Sequence, residues 1–248
     1  MNILVIGESC NDIYSYGIVN RLAPEAPVPV LQPSRTLEVG GMAMNVYENI
    51  KSLDVDVDIV TNDNWNKIIK NRFIDDKTNQ MFLRVDTNDS GYGRVNLSKI
   101  DWLAYDAIII SDYDKGYLTK EDIEVICNKH DKVFLDTKKV LGDWAKKALY
   151  IKINNYEFEI SKNNINDDLK NILIITLGAG GCEHKGEIFN VPKVDVKDTC
   201  GAGDTFIAAL VCRYLETYNI KKSIVFANKC ATQVIQKRGT SKINQELL

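Results

Sequence analysis

The sequence contains the stretch Asp198-Thr199-Cys200-Gly201-Ala202-Gly203-Asp204-Thr205-Phe206, followed by an apolar run with helical periodicity. Three small residues in succession, 201–203, leave backbone N–H groups uncovered where the helix is expected to begin. Free N–H groups and the positive end of a helix dipole stabilise an anion there. Asp204 would repel that anion, but it can remove the proton from a hydroxyl that attacks a phosphoryl group. The stretch therefore predicts a phosphoryl-transfer site, with a tight turn and an Asp helix cap as the alternative.

The same stretch resembles the C-terminal signature of the PfkB or ribokinase-like family of sugar and nucleoside kinases. In that family the small residues form the anion hole, and the Asp after the second Gly is the catalytic base. The resemblance implies that Gly201, Ala202 and Gly203 stabilise the transferring phosphoryl group and that Asp204 is the base. It also implies ATP and Mg²⁺ as cofactors, leaves a monovalent cation open, and implies a ribokinase-like fold.

Short apolar runs alternate with helical stretches along the chain. This alternation predicts an α/β three-layer sandwich with a mostly parallel sheet. Residues 13–38 and about 70–100 are expected to form a small β lid, since Pro24, Pro27 and Pro29 forbid a helix in the first of these segments. At 248 residues the chain is expected to form one domain, spanning 1–248, with no independent second domain.

The composition indicates a globular protein with a small-molecule partner. Apolar residues make up 45% of the chain, charged residues 26%, and the net charge is −3. These values argue against a nucleic-acid or membrane-surface binder. The N-terminus has no charged region followed by a long apolar run, so a cytoplasmic location is expected.

Six cysteines are scattered through the chain without C-x-x-C spacing, which favours reduced thiols over disulfides or a zinc site. Cys200 adjoins the predicted anion hole. A space-filling role is favoured there over that of a nucleophile.

Two N-terminal segments resemble the sugar-binding part of the same family. Asp12 follows the first apolar run, and a carboxylate suits sugar hydroxyls because it accepts two hydrogen bonds. Gly40 and Gly41 open a helical pattern that carries Asn45, and the resemblance implies that these residues touch the sugar. A solvated turn at Asp12 and a plain strand-to-helix turn at the glycines are the alternatives.

The segment 21–30, Arg-Leu-Ala-Pro-Glu-Ala-Pro-Val-Pro-Val, resembles a signature of one branch of the family, the D-glycero-β-D-manno-heptose 7-phosphate kinases. The segment 111–116, Ser-Asp-Tyr-Asp-Lys-Gly, also matches. Arg21 and Lys115 are therefore expected to bind substrate, and Arg84 and Lys138 are further candidate cations for a distal phosphate. Each of these cations could instead be solvated surface charge.

Three further segments resemble the nucleotide-binding part of the family. Asn154 and Glu157 match its Asn-x-x-Glu motif, which implies a Mg²⁺ ligand at Glu157 acting partly through water. A helix N-terminal turn is the alternative for this motif. The other nucleotide-binding residues implied by the resemblance are Thr176, Gly178, Gly181 and Asn228.

These observations predict an ATP-dependent kinase that phosphorylates the anomeric hydroxyl of the heptose 7-phosphate. A kinase for ribose, fructose or another sugar phosphate, and a catalytically silent sugar or nucleotide sensor, are the alternatives. No adenylyltransferase segment is expected after the kinase. The apolar strand 28–31 would be an exposed edge in a monomer, so a homodimer joined through the lids is predicted.

Overall fold

A computed structural model describes residues 1–247 of the protein. Across these residues the strands are β1 (Asn2–Gly7), β2 (Ser9–Leu22), β3 (Pro29–Met42), β4 (Asp56–Val60), β5 (Ile69–Asp75), β6 (Met81–Thr87), β7 (Ala107–Asp112), β8 (Val133–Thr137), β9 (Tyr150–Asn154), β10 (Leu173–Thr176), β11 (Cys182–His184) and β12 (Glu187–Phe189). The α-helices are α1 (Ala43–Lys51), α2 (Lys120–Lys129), α3 (Asn155–Ser161), α4 (Asp167–Ile172), α5 (Ala202–Thr217) and α6 (Ile220–Val234).

The central sheet has eight strands in the order β12-β11-β10-β9-β8-β7-β1-β4. Six neighbouring strands run parallel, namely β4, β1, β7, β8, β9 and β10. Strands β11 and β12 are added antiparallel at the β10 edge. The apolar runs of the inner strands β1, β7, β8 and β9 are buried because helices cover both faces of the sheet. The predicted mostly parallel sheet is therefore confirmed.

Two separate hydrophobic cores lie on opposite faces of this sheet. Leu4 and Ile6 of β1 pack into a core with α2, whereas Ile3 and Val5 pack into the other core with α1, α5 and α6. The alternation follows from the pleat, which directs successive side chains to opposite faces. The three layers expected from the sequence are thus present.

The lid is a second sheet of four strands in the order β3-β2-β5-β6. Its strands cover residues 9–42 and 69–87, so the lid extends beyond the predicted 13–38 and, in its second part, ends before 100. Strand β3 is an edge strand, as expected for the proline-rich segment. In the part of the chain from 1 to 247, no helix has the length and apolar character needed to cross a membrane.

Candidate active site

Two cavities meet at the N-terminus of helix α5. A polar cavity of about 300 Å³ is lined by Gly201 and Asp204, and by side chains of the lid. An apolar cavity of about 510 Å³ is lined by Ala202 and Gly203. The predicted anion hole therefore separates a polar compartment from an apolar one, and all four predicted catalytic residues lie at this boundary.

The backbone at the start of α5 can be formed only with small residues. Gly201 has a φ of 77°, and a Cβ there would lie 2.5 Å from the Asn45 Nδ2 atom. A Cβ on Gly203 would lie 2.8 Å from the Lys152 Nζ atom. No side chain caps the helix. The Ala202 N–H donates to the Thr199 carbonyl oxygen over 3.3 Å, so the N–H groups of Gly203 and Asp204 are the ones placed to bind an anion.

Asp204 is 5% exposed and accepts two hydrogen bonds. Asn45 donates from Nδ2 over 2.9 Å, and the Tyr113 hydroxyl donates over 2.7 Å. Burial raises the pKa of Asp204 to about 6, although these two hydrogen bonds and the charge of Lys152 lower it. The carboxylate is therefore ionised at neutral pH and more basic than an exposed Asp, which suits a general base.

Asp12 lies within β2 and lines the polar cavity, so the alternative of a solvated turn is wrong. Its carboxylate pairs with Arg72 at 2.7 Å. A Cβ on Gly41 would lie 2.4 Å from the Asp12 Oδ2 atom, so this glycine allows strand β3 to pass behind the carboxylate. A Cβ on Gly40 would lie 2.1 Å from the Met44 Cγ atom, so a glycine is needed there for the Met44 side chain to fit. Neither glycine lines the cavity, whereas Asp12 in front of Gly41 does.

The predicted residues Asn45 and Lys115 also line the polar cavity, as does the candidate cation Arg84. Arg21 does not line it, because it is exposed near the far end of β2. The structure therefore places Arg21 outside this cavity, and its contact with substrate stays a prediction. The sequence reasoning missed several cavity residues: Lys70, Arg72, Asp89, Tyr113 and Thr240. The alternating cations of β5 could have indicated Lys70 and Arg72, since residues two apart share a face.

The apolar cavity contains four of the five predicted nucleotide-binding residues, namely Thr176, Gly178, Gly181 and Asn228. Gly181 has a φ of 80°, and a Cβ there would lie 2.0 Å from the Phe189 carbonyl oxygen. Asn228 Nδ2 donates to that same carbonyl oxygen over 2.9 Å, so helix α6 is joined to the strand edge. The lining is largely apolar on the side of residues 191–196 and Phe206, which suits a flat heteroaromatic ring.

Asn154 does not line the apolar cavity, since its side chain caps helix α3. Its Oδ1 accepts from the Glu157 N–H over 2.9 Å, and Glu157 accepts in return from the Asn154 N–H over 2.7 Å. The helix-turn alternative therefore describes the local geometry of this motif. Lys138 pairs with Glu157, and so this candidate cation lies beside the predicted metal ligand.

One carboxylate oxygen beside this motif could bind Mg²⁺. It belongs to Asp136, whose other oxygen accepts from Lys152 Nζ at 2.8 Å. Asp136 is 5% exposed, and its Oδ1 atom has no hydrogen-bond partner among residues 1–247. Asp136 lies near the end of β8, next to the strand β9 that leads to Glu157. Mg²⁺ prefers such carboxylate oxygens together with water. Groups of three or more His, Cys, Asp or Glu side chains in metal-binding arrangement do not occur in the described part of the chain, so water and phosphate oxygens would complete the coordination.

Cys200 lines the polar cavity, where burial and then the charge of Asp198 raise the pKa of its thiol to about 11. The thiol is therefore protonated at neutral pH, which supports a space-filling role over that of a nucleophile. All six cysteines are free, as expected.

Comparison of the sequence with known proteins identifies a family for this chain. The profile described as pfkB family carbohydrate kinase matches residues 48–247. The bifunctional protein HldE of Helicobacter pylori strain J99 is 32% identical over 300 residues, which covers 98% of this chain and 65% of the relative. The bifunctional protein HldE of a Nitratiruptor species is 30% identical over 299 residues, covering 98% of this chain and 63% of the relative. The chain thus spans a little under two thirds of the length of these relatives.

Solved structures share the fold at low sequence identity. A ribokinase from Thermotoga maritima superposes with a TM-score of 0.72 at 16% identity, covering 99% of this chain and 97% of that one. The Arabidopsis thaliana ribokinase complexed with ribose and ATP gives a TM-score of 0.70 at 13% identity, covering 99% and 96%. The predicted ribokinase-like fold is therefore confirmed, and because the family profile matches most of its length, the chain belongs to the pfkB family of carbohydrate kinases.

Proposed function

We propose that this carbohydrate kinase transfers the γ-phosphoryl group of ATP to the anomeric hydroxyl of D-glycero-β-D-manno-heptose 7-phosphate, giving the 1,7-bisphosphate. The observation that carries the proposal is the position of Asp204. Its buried carboxylate lies where the polar and apolar cavities meet, beside the N-terminus of α5. A hydroxyl in the first cavity and a phosphoryl group at the end of the second would meet at this residue.

The polar cavity is suited to orient the sugar. Asp12 and Asn45 present hydrogen-bonding groups to it, and Asp204 accepts the proton of the attacking hydroxyl. The N–H groups at the start of α5 stabilise the charge on the transferring phosphoryl oxygens. Positioning and electrostatic stabilisation supply most of the catalysis in phosphoryl transfer, and both come from fixed elements of the fold here.

The apolar cavity is suited to hold the nucleotide. Gly178 and Gly181 lie just after the end of β10, and Asn228 and Thr232 lie on α6 across the cavity. Bound Mg²⁺ would neutralise charge on the phosphate oxygens, with Glu157 and Asp136 as its protein ligands, partly through water. Lys138 forms an ion pair with Glu157, so its ammonium group would lie beside this charge.

The choice of substrate rests on the resemblance of residues 21–30 and 111–116 to the heptose 7-phosphate kinases. It is supported by the naming of the relatives as the bifunctional protein HldE and by the cations that line the polar cavity. Ribose, fructose and other sugar phosphates are the competing substrates. A silent sugar or nucleotide sensor is the competing function, but a sensor has no need of a buried base at the anion hole.

Steady-state kinetics over a sugar panel tests this proposal. We expect ATP turnover with heptose 7-phosphate to exceed turnover with ribose, fructose and fructose 6-phosphate. Asp204→Asn should lower kcat by about 10²- to 10⁴-fold, the usual contribution of a general base. Asp195→Asn, on an exposed side chain, is the matched control. Binding of sugar and ATP without turnover by the wild type would favour the sensor function. A preference for ribose or fructose would mean that heptose 7-phosphate is not the substrate.

A homodimer joined through the lids is part of the proposal. The outer lid face, formed by Ile13, Phe73, Leu83 and Val85, points away from the cavity. Leu83 and Val85 are 56% and 41% exposed. Edge strand β3 lies at one side of the same sheet, so a second lid could cover apolar side chains and a free strand edge together.

A further inference from the structure

Asp89 lies between two lysines at the wall of the polar cavity. Its carboxylate accepts from Lys70 Nζ at 2.9 Å and from Lys115 Nζ at 2.8 Å. The Tyr92 hydroxyl donates to it over 2.6 Å. Three donors thus converge on one anionic group inside a cavity that would hold the substrate.

This arrangement joins the lid to the body of the protein. Lys70 is on lid strand β5, whereas Lys115 follows β7 of the central sheet. The backbone of Lys115 is fixed, because its N–H donates to the buried carboxylate of Glu8 over 3.0 Å. Side-chain exposure is 11% for Lys70, 21% for Asp89 and 35% for Lys115, so the cluster is partly shielded but open to a ligand.

The other cations of the cavity are committed to different carboxylates. Arg72 pairs with Asp12 at 2.7 Å, and Arg84 pairs with Asp86 at 2.9 Å. Lys70 also lies 3.5 Å from Asp86, farther than its 2.9 Å contact with Asp89. Arg72 therefore holds a residue that faces the sugar hydroxyls. Lys70 and Lys115 are the cations that share Asp89 as a counter-ion, and Asp89 lies on the segment after β6.

We propose that Lys70 and Lys115 form the binding site for the phosphate of a phosphorylated sugar, and that Asp89 is an internal counter-ion which this phosphate replaces. The inference rests on the proposed kinase function and assigns the residues that select its substrate class. A sugar phosphate carries close to two negative charges at neutral pH and has three acceptor oxygens, whereas Asp89 carries one charge. Two ammonium groups that line the cavity supply donors for such a group.

The internal counter-ion explains how the site would discriminate against neutral sugars. Without a ligand, Asp89 is the nearer of two carboxylates paired with Lys70 and is the partner of Lys115, which lowers the cost of keeping two partly buried ammonium groups together. A phosphate replaces that carboxylate with a stronger partner. An unphosphorylated sugar offers no group that can do so, and it leaves the lysines bound to Asp89.

The test measures binding of inorganic phosphate to the full chain by calorimetry, without ATP or sugar. Asp89→Asn should bind phosphate about tenfold more tightly than the wild type, because the competing charge is removed. Lys70→Met and Lys115→Met should each remove the phosphate binding that Asp89→Asn strengthens, whereas phosphate held at the N-terminus of α5 should be common to all variants. Lys67→Met, on an exposed lysine outside the cavity, is the matched control and should bind like the wild type.

Unchanged phosphate affinity in Asp89→Asn, or in both lysine variants, would overturn the assignment. Thermal unfolding of each variant separates a lost site from a lost fold, and Asp89→Asn stays informative since it predicts a gain. Kinetics separates this inference from the proposed function. If the wild type phosphorylates heptose 7-phosphate and Lys70→Met raises its KM no more than Lys67→Met, the subsite is wrong. If the calorimetric pattern holds but no sugar is phosphorylated, the subsite stands and the proposed function fails.

Discussion

The hydroxyl of Tyr113 donates a hydrogen bond of 2.7 Å to Oδ1 of Asp204. Tyr113 follows strand β7, and Asp204 is in the first turn of α5, so the contact crosses from the sheet to the helix that carries the anion hole. Burial, together with the neighbouring Asp204, holds the pKa of Tyr113 well above its ordinary value. The phenol therefore stays protonated and remains a donor to the carboxylate.

Tyr113→Phe should raise the pKa of Asp204, because it removes a hydrogen bond that stabilises the charged form. We expect the acidic limb of the kcat/KM profile to move to higher pH by up to about one unit. Tyr117→Phe, in a neighbouring residue that does not line the cavity, is the control and should leave the profile in place. An identical profile for Tyr113→Phe and wild type would show that the hydrogen bond does not tune the base.

The wild-type kcat/KM should rise with pH through about 6 and level off near neutrality. Asp204 must be ionised to accept a proton, and its pKa in the free protein is raised to about 6. Below that pH the rate constant should fall about tenfold per unit. The second ionisation of a sugar phosphate also lies near pH 6, and comparison with Tyr113→Phe separates the two, since a substitution in the enzyme cannot move the pKa of the free substrate. If the acidic limb stays at the same pH in both Tyr113→Phe and Asp204→Glu, the limb reports the ionisation of the substrate.

Gly201→Ala should reduce kcat by on the order of tenfold or more, since the added Cβ would displace the Asn45 amide that orients Asp204. The matched control is Gly186→Ala. Gly186 has the same φ of 77°, and a Cβ there would meet no atom within 4 Å. Both variants share the backbone strain of an alanine in the left-handed region, about 1–2 kcal/mol. Equal kinetic effects in the two variants would mean that strain alone, and not the clash with Asn45, accounts for the loss.

The double variant Leu83→Glu/Val85→Glu should convert the proposed lid-joined dimer into a monomer, because it places two charges on the outer lid face. Light scattering at micromolar concentration measures the mass. Leu103→Glu, at a position that is 94% exposed outside the lid, is the control and should leave the mass unchanged. A wild-type protein that is monomeric at this concentration would contradict the proposed dimer. A double variant that stays dimeric would mean that the dimer forms through another surface.

Several features of the fold and site could be predicted because their signals are local. The apolar runs that become β1 and β7 are buried on both faces, so their composition alone indicates parallel strands. The loop at Gly178 and Gly181 and the turn at Gly201 are each formed by residues close together in the chain. Their backbone requirements, including the positive φ values, are therefore visible as glycines in the sequence.

Other features depended on pairing between distant segments. The sequence could not show that Arg21 would lie outside the cavity, since the length of the β2–β3 hairpin beyond the cavity is a property of the lid sheet. It offered a Mg²⁺ ligand and a helix cap as alternatives for Asn154 and Glu157. The structure adds that the cap is formed.

The sequence by itself determined the tight turn that carries the proposed base and anion hole, because Gly201 to Asp204 act through the geometry of one helix turn. Only the tertiary structure decided which side chains surround them. Tyr113 and Asn45 reach Asp204 from 91 and 159 residues away in the chain. Lys70 and Lys115 both contact Asp89 only because the lid sheet is packed beside the end of the central sheet. Charge pairing over such separations leaves no periodic pattern in a single sequence, whereas the backbone requirements of a tight turn are written in adjacent residues.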